Sequence, residues 1–160
     1  MAEGTDAVLP ETARRMARVR QRDTAAELAL RRSLFAAGLR YRVQYPIEGR
    51  PRRTIDIAFT RARIAVFVDG CYWHGCPVHG TRARNNAAWW SAKIATNQQR
   101  DADTSAHLEQ LGWTVLRIWE HEAPGEGAAR VVAALQQAPP PNRLPEQPGE
   151  RLGRVSSRPR

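Results

Sequence analysis

The sequence predicts a mixed α/β fold, a mixed β-sheet flanked by helices. Three observations carry this expectation. Periodic patterns follow one another in the order helix, three strands, helix, strand, helix, which suits helices packed on a sheet better than an all-α or all-β domain. The 160 residues fit one compact domain with tails. Hydrophobic residues make up 42 %, enough for a core and too many for a chain disordered throughout.

Each element has its own signal. Thr24-Ala25-Ala26-Glu27 has the form of a capping box, in which a hydroxyl and a carboxylate satisfy free N–H groups at a helix start. Leu28, Leu30 and Leu34 follow in an Ala/Leu/Arg-rich stretch closed by Gly38, so a helix is expected over residues 24–37. Tyr41 to Tyr45 is a short strand. Residues 54–59 and 63–68 are paired strands joined by a short turn, rich in Ile, Val and Phe. A long loop then runs from Asp69 to about Ala87. Residues 88–111 are helical, with Trp90, Ile94, Leu108 and Leu111 among polar residues, and Gly112 stops them. Trp113 to Trp119 is a strand whose two tryptophans are expected in the core, and residues 127–137 form a last helix.

The ends differ from this middle. Residues 1–22 contain Arg14, Arg15, Arg18, Arg20 and Arg22 with no acid between them, a basic N-terminal arm. Residues 138–160 hold Pro139-Pro140-Pro141, Pro145, Pro148 and Pro159 among arginines and serines and offer nothing to bury. They read as a disordered Pro/Arg-rich tail, either dispensable or touching DNA. The folded domain is therefore expected over residues 23–137.

Twenty-five Lys and Arg against 16 Asp and Glu give a net charge of +9, which draws polyanions and makes nucleic acid the first partner to consider. Lys93 is the sole lysine, so part of the arginine excess reflects a GC-rich genome, but the charge survives that discount. The apolar run Ile64–Val68 is far too short to span a membrane, and residues 1–6 lack a secretory signal, so a soluble cytoplasmic chain is expected.

Chemistry-bearing residues cluster in the long loop. Cys71, His74, Cys76 and His79 fall within nine residues, and His121 follows the last strand. Zinc takes about four sulfur and nitrogen ligands in a tetrahedron; Cys71, Cys76 and His79 can supply three and His121 the fourth. Free thiols beside surface histidines are the plainer alternative, and a Cys71–Cys76 disulfide is disfavoured in a cytoplasmic chain. Asp56 interrupts an apolar strand between Ile55 and Ile57, either as a ligand for a hard cation such as Mg²⁺ or as a solvent-facing residue. Glu27 either caps its helix or reaches a catalytic water. Tyr72 and Trp73 lie inside the loop, where rigid aromatics either pack or stack on bases.

Together, Arg22-Asp23-Thr24, Ile55-Asp56-Ile57, the loop Val68-Asp69-Gly70-Cys71-Tyr72-Trp73-His74-Gly75-Cys76-Pro77-Val78-His79 and the strand Gly112 to Glu120 resemble the very-short-patch (Vsr) mismatch repair endonucleases, over about Met16 to Glu122. The resemblance implies a restriction-endonuclease-like fold with a structural zinc. It also implies nicking of one strand beside the thymine of a T:G mismatch, the product of 5-methylcytosine deamination. It assigns Asp56 and the Val68 backbone carbonyl to a catalytic Mg²⁺, His74 to general-base work on the attacking water, and Glu27 to the water network. Cys71, Cys76, His79 and His121 fall at or beside the zinc ligand positions, and Tyr72, Trp73 and Trp90 match the aromatics that intercalate beside the mismatch. Arg50, Arg52, Arg53, Arg82, Arg84 and Lys93 are expected on DNA. The implied partner is double-stranded DNA carrying a T:G mismatch, met by a monomer at the bacterial nucleoid, with repair proteins as further contacts.

The chain departs from the family pattern in places. Cys76, His79 and His121 stand where some members carry a histidine, a cysteine and a cysteine. Asp69 is a side chain some members lack, available to position a metal or a water. The Glu-x-Lys that follows the strand aspartate elsewhere in the fold is replaced by Val66-Phe67-Val68, which puts more weight on His74. The same residues leave two other functions open: a restriction-type nuclease on unmismatched or modified DNA, and a non-catalytic zinc-stapled DNA-binding module.

Overall fold

A computed structural model of the chain describes residues 22–79 and 87–139. The elements follow the expected order: α1 (Ala25–Ala36), β1 (Arg42–Ile47), β2 (Arg50–Phe59), β3 (Ile64–Asp69), α2 (Ala87–Gln110), β4 (Thr114–Trp119) and α3 (Pro124–Gln137). The strands lie side by side in the order β1-β2-β3-β4. The first two pairings are antiparallel and β3–β4 is parallel, because a parallel neighbour needs a crossover and α2 provides it.

β3 reads as a continuous apolar run because both of its faces are covered. On one face Ile57, Phe59, Ile64, Val66 and Ile118 pack with Leu30 and Leu34 of α1 and Ala128 and Val131 of α3. On the other, Ile47, Ile55, Ala58, Ala65 and Phe67 pack with Leu108 of α2. Truncating a fully buried side chain such as Leu34 or Ile57 to alanine costs about 2–5 kcal/mol, so these two layers set the frame that everything else hangs on. Long α2 buries only Trp90, Thr104 and Leu108, which leaves its polar middle free for the loop beside it.

Two boundaries differ from the sequence expectation by three residues or more. β2 begins at Arg50 rather than at Thr54, since Gly49 at φ +72° turns the chain tightly enough for Arg50 to pair with Ile47. α3 begins at Pro124 rather than three residues later. Proline suits a first turn, whose N–H groups have no helical partner, while Gly125 and Gly127 mask the turn in the sequence. Gly127 allows the close packing: a Cβ there would lie 3.2 Å from both Ile118 and Leu30.

Among the described residues no helix is long and apolar enough to cross a membrane. The basic arm except Arg22, the tail beyond Pro139, and Arg82 and Arg84 lie outside the described residues.

Candidate active site and metal centre

The site forms where strands part. The β2–β3 pairing ends at Ile57↔Val66, and beyond it the Val68 N–H donates to Asp56 Oδ2 at 2.9 Å. Ile55 and Ile57 belong to opposite cores, so alternation breaks at Asp56 and the simple picture of a solvent-facing strand residue does not apply. The break lies across from Gln44, whose φ is +48°. Burial above all, then the charges of Glu27 and Asp69, raise the Asp56 pKa from 3.8 to about 6, against the Val68 N–H and Arg117.

Glu27 is buried and does cap α1: its N–H donates to Thr24 Oγ1 at 3.3 Å, and its Oε2 accepts from the Asp23 N–H at 2.9 Å. It also pairs with Arg31 and accepts from Gln44 Nε2 at 3.3 Å, while Gln44 Oε1 accepts from Thr54 Oγ1 at 2.9 Å. One carboxylate thus starts the helix and lends charge to Asp56.

His74 sits on a turn after β3, where the N–H groups of Trp73 and His74 donate to the Gly70 carbonyl. Gly75, at φ +66°, follows, and a Cβ there would fall 2.6 Å from Gln98 Nε2. The middle of α2 grips this turn: Asn97 donates to the Trp73 carbonyl at 3.0 Å, Gln98 to the His74 carbonyl at 3.2 Å, and Asp101 meets His74 Nδ1. Burial works against charging the ring, but the Asp101 hydrogen bond and the Asp69 charge outweigh it and raise the His74 pKa. With Nδ1 tied to a carboxylate, Nε2 is the nitrogen left to accept a proton. Burial likewise works against an ionised Asp101, yet His74 and Arg117 lower its pKa.

Arg117 of β4 completes this corner, with Nε 2.6 Å from Asp69 Oδ2 and Nη2 2.7 Å from Oδ1. Asp69, expected to hold a metal or a water, has both oxygens engaged by that fork. Sequence reasoning missed Asp101 and Arg117. The signal for Asp101 was present: Trp90, Ile94, Asn97, Asp101, Thr104 and Leu108 recur at three- and four-residue spacing, so a carboxylate lies mid-way along a face anchored at both ends.

A second corner shares the loop. The ligand atoms of Cys71, Cys76, His79 and His121 all lie within 4.8 Å of one another. Cys71 Sγ is 3.0 Å from His121 Nδ1 and 4.0 Å from His79 Nδ1, and Cys76 Sγ is 3.7 and 4.0 Å from the same two atoms. Zn–S bonds of about 2.3 Å and Zn–N bonds of about 2.0–2.1 Å in a tetrahedron put ligand atoms roughly 3.3–3.8 Å apart; the separations of 3.0–4.0 Å bracket that range, and the chemistry of the set suits zinc. Both thiols are free and buried, and burial followed by Cys76 and Glu120 pushes Cys71 up to about 11. A cation would reverse that by replacing the thiol proton. The Cys71 N–H donates to Glu120 Oε1 at 2.7 Å, tying the corner to the end of β4. Trp119, expected in the core, is instead half-buried and stacked on His121, their ring centroids 6.4 Å apart; Trp113 packs beside Tyr45.

The three aromatics expected to intercalate form one cluster. Tyr72 lies 5.5 Å from Trp73 and 5.1 Å from Trp90, and Trp73 lies 5.8 Å from Trp90, centroid to centroid. Trp90 is only 4 % exposed and forms the floor on which the half-buried Tyr72 and Trp73 rest. Lys93 is exposed one turn further along α2. The β2 arginines divide: Arg50 and Arg53 pair with Asp103 of α2 at 3.2 and 2.5 Å, whereas Arg52 is exposed and makes no ion pair among the described residues.

The family profile of DNA mismatch endonuclease Vsr matches residues 5–79. The chain is 41 % identical over 128 residues to the type II nicking enzyme V.NaeI of Lentzea aerocolonigenes, covering 76 % of this chain and 75 % of that protein. It is 37 % identical over 121 residues to the type II nicking enzyme V.NmeDIP of Neisseria meningitidis serogroup C, covering 73 % and 79 %. To DNA mismatch endonuclease Vsr of Escherichia coli (strain K12) it is 36 % identical over 108 residues, 66 % of each chain. With nicking and mismatch endonucleases on every side of it, the chain belongs to the Vsr family and is a DNA endonuclease.

Proposed function

We propose that the protein nicks one strand of double-stranded DNA beside the thymine of a T:G mismatch, the lesion left by deamination of 5-methylcytosine. Mg²⁺ serves as the catalytic ion and zinc as a structural tie, on a restriction-endonuclease-like frame. The observation that carries this reading is the pairing of His74 with Asp101 next to the strand end that holds Asp56. A Cys₂His₂ set beside it supports zinc, and the name of the Escherichia coli relative supports a mismatched substrate.

Asp56 and the Val68 carbonyl are hard oxygen donors, and a carboxylate whose pKa is raised to about 6 gains from a cation, so the residues fit Mg²⁺. Bound there, Mg²⁺ would neutralise charge on the scissile phosphate. His74 Nε2 takes the proton of the attacking water, and Asp101 holds the resulting imidazolium in place. Glu27 orders water on the α1 side. Tyr72 and Trp73, lifted on Trp90, wedge against the mispaired bases, which unstack more cheaply than a matched pair. Arg52 and Lys93, exposed on β2 and α2, meet phosphates, while Arg50 and Arg53 chiefly hold α2 in place.

The test is a nicking assay on end-labelled duplexes carrying T:G in many flanking contexts, with matched controls, with and without Mg²⁺. Single-strand cleavage beside the mispaired thymine, lost in Asp56→Ala with duplex binding kept, is expected. Equal cleavage of matched DNA would move the reading to a restriction-type nuclease. Full activity of Asp56→Ala would overturn the catalytic assignment.

A further inference from the structure

We propose that Arg117 is a positioning residue for nicking: by occupying Asp69, it makes Asp101 the partner of His74. This inference rests on the proposed role of His74. Two carboxylates lie within reach of His74 Nδ1, Asp101 in hydrogen-bond contact and Asp69 Oδ1 at 3.8 Å. They would favour two ring orientations, of which only one can aim Nε2 at a water in line with the phosphate. Arg117 breaks the tie. Its Nε and Nη2 take both oxygens of Asp69 as a two-toothed fork, the geometry in which a guanidinium is most selective.

Nη2 also lies 3.2 Å from Asp101 Oδ2, the oxygen that meets His74. Arg117 thereby resists rotation of that carboxylate away from the ring. The arginine is itself held. Its residue is paired in register with Phe67 on β3, and its guanidinium lies 5.2 Å from the centre of the Phe67 ring. Asp69 is only 4 % exposed and sits at the last residue of β3, so the clamp spans the two parallel strands that end at the site. A carboxylate buried there without a cation would be costly, so Asp69 and Arg117 act as a pair.

The full chain, loaded with zinc and assayed on a T:G duplex in Mg²⁺, tests this with Arg117→Met, Arg117→Lys, the double variant Asp69→Asn/Arg117→Met, and His74→Ala as reference. Arg117→Met should lower kcat about 100-fold with KM within about twofold, the scale on which a misplaced catalytic group is felt. Arg117→Lys should recover part of that loss, because it keeps the charge without the fork. The double variant removes the stranded charge, so its Tm should return to within a few degrees of wild type. Its kcat should stay low, because the amide oxygen at position 69 still offers the ring N–H an acceptor and Asp101 still lacks its contact with Arg117. Nitrogen-15 spectra of labelled His74 should show one ring form in the wild type and exchange between forms in Arg117→Met.

Wild-type kcat in the double variant would overturn the proposal, reducing Arg117 to a counter-ion for Asp69. A rise in KM at unchanged kcat would also overturn it, making Arg117 a phosphate contact. Either result beside an inactive His74→Ala leaves the proposed function standing; an active His74→Ala would bring down both.

Discussion

The two corners of the loop between Asp69 and His79 are satisfied in opposite ways. In the thiol corner, two buried thiols and two exposed imidazoles face one another, with no ion pair to hold them among the described residues. In the carboxylate corner, Asp69, Asp101, His74 and Arg117 balance one another through short hydrogen bonds. The thiol corner has the chemistry to hold a cation, the zinc proposed above, while the carboxylate corner is built from internal charges. His74 lies on the loop between them, its ring held by the carboxylate corner.

The largest effect expected is therefore loss of metal from the thiol corner. The loop from Cys71 to His79 consists of turns whose only buried side chains are Cys71 and Cys76, so beyond the hydrogen bonds from α2 and Glu120 little burial holds it. Structural zinc binds free peptides with about 10–16 kcal/mol, part of which would be folding energy here. Cys76→Ala, or stripping with a strong chelator, should lower Tm by more than about 10 °C and abolish nicking. Metal analysis should find about one zinc per wild-type chain and none in the variant. An unchanged Tm in metal-free protein would erase the distinction between the corners.

A smaller effect separates the aromatics that roof the loop. Trp90→Ala empties a buried site and should cost about 3–5 kcal/mol in a denaturant titration. Trp73→Ala removes a half-buried ring and should cost less than that while reducing the preference for mismatched over matched duplex. Equal losses of stability would show that Trp73 is packing rather than wedge.

How much of this was legible beforehand follows from the range of the forces involved. Helices, strands and their order were readable because periodicity and caps are local: Thr24 and Glu27 cap α1 as their spacing suggests. The thiol corner was nearly complete in sequence, since three of its four side chains fall within nine residues and only His121 comes from elsewhere. The carboxylate corner was half hidden. Asp101 and Arg117 lie 27 and 43 positions from His74 in the numbering, on α2 and β4; the helical spacing from Trp90 to Leu108 places Asp101 on a packed face without naming its partner, and nothing local marks an arginine in a strand. Arg50 and Arg53 showed the converse: a basic run suggested phosphate contacts, and Asp103, 50 residues beyond Arg53, claims them. Trp119 followed the same pattern, its apparent core position given over to His121.

The smallest effect concerns Asp56, the carboxylate that neither corner neutralises. Its pKa rises from 3.8 to about 6 on folding, so the native state holds this proton more tightly than the unfolded chain does. The sign follows: in Mg²⁺-free protein, ionised Asp56 destabilises the fold. The penalty is small near pH 4, grows between pH 4 and 6 and levels off above. At about 1.4 kcal/mol per pKa unit the plateau is at most about 3 kcal/mol. Asp56→Asn should therefore be more stable than wild type at pH 8 by about 1–3 kcal/mol and nearly equal to it at pH 4, while being unable to nick. Adding Mg²⁺ should raise the Tm of the wild type and leave the variant unmoved, because bound ligand stabilises only the chain that binds it. Equal gains in both proteins would mean that the cation binds elsewhere. A less stable variant at pH 8 would mean that Asp56 already has its partner within the fold, and that the strand end, like the carboxylate corner beside it, is balanced without a metal.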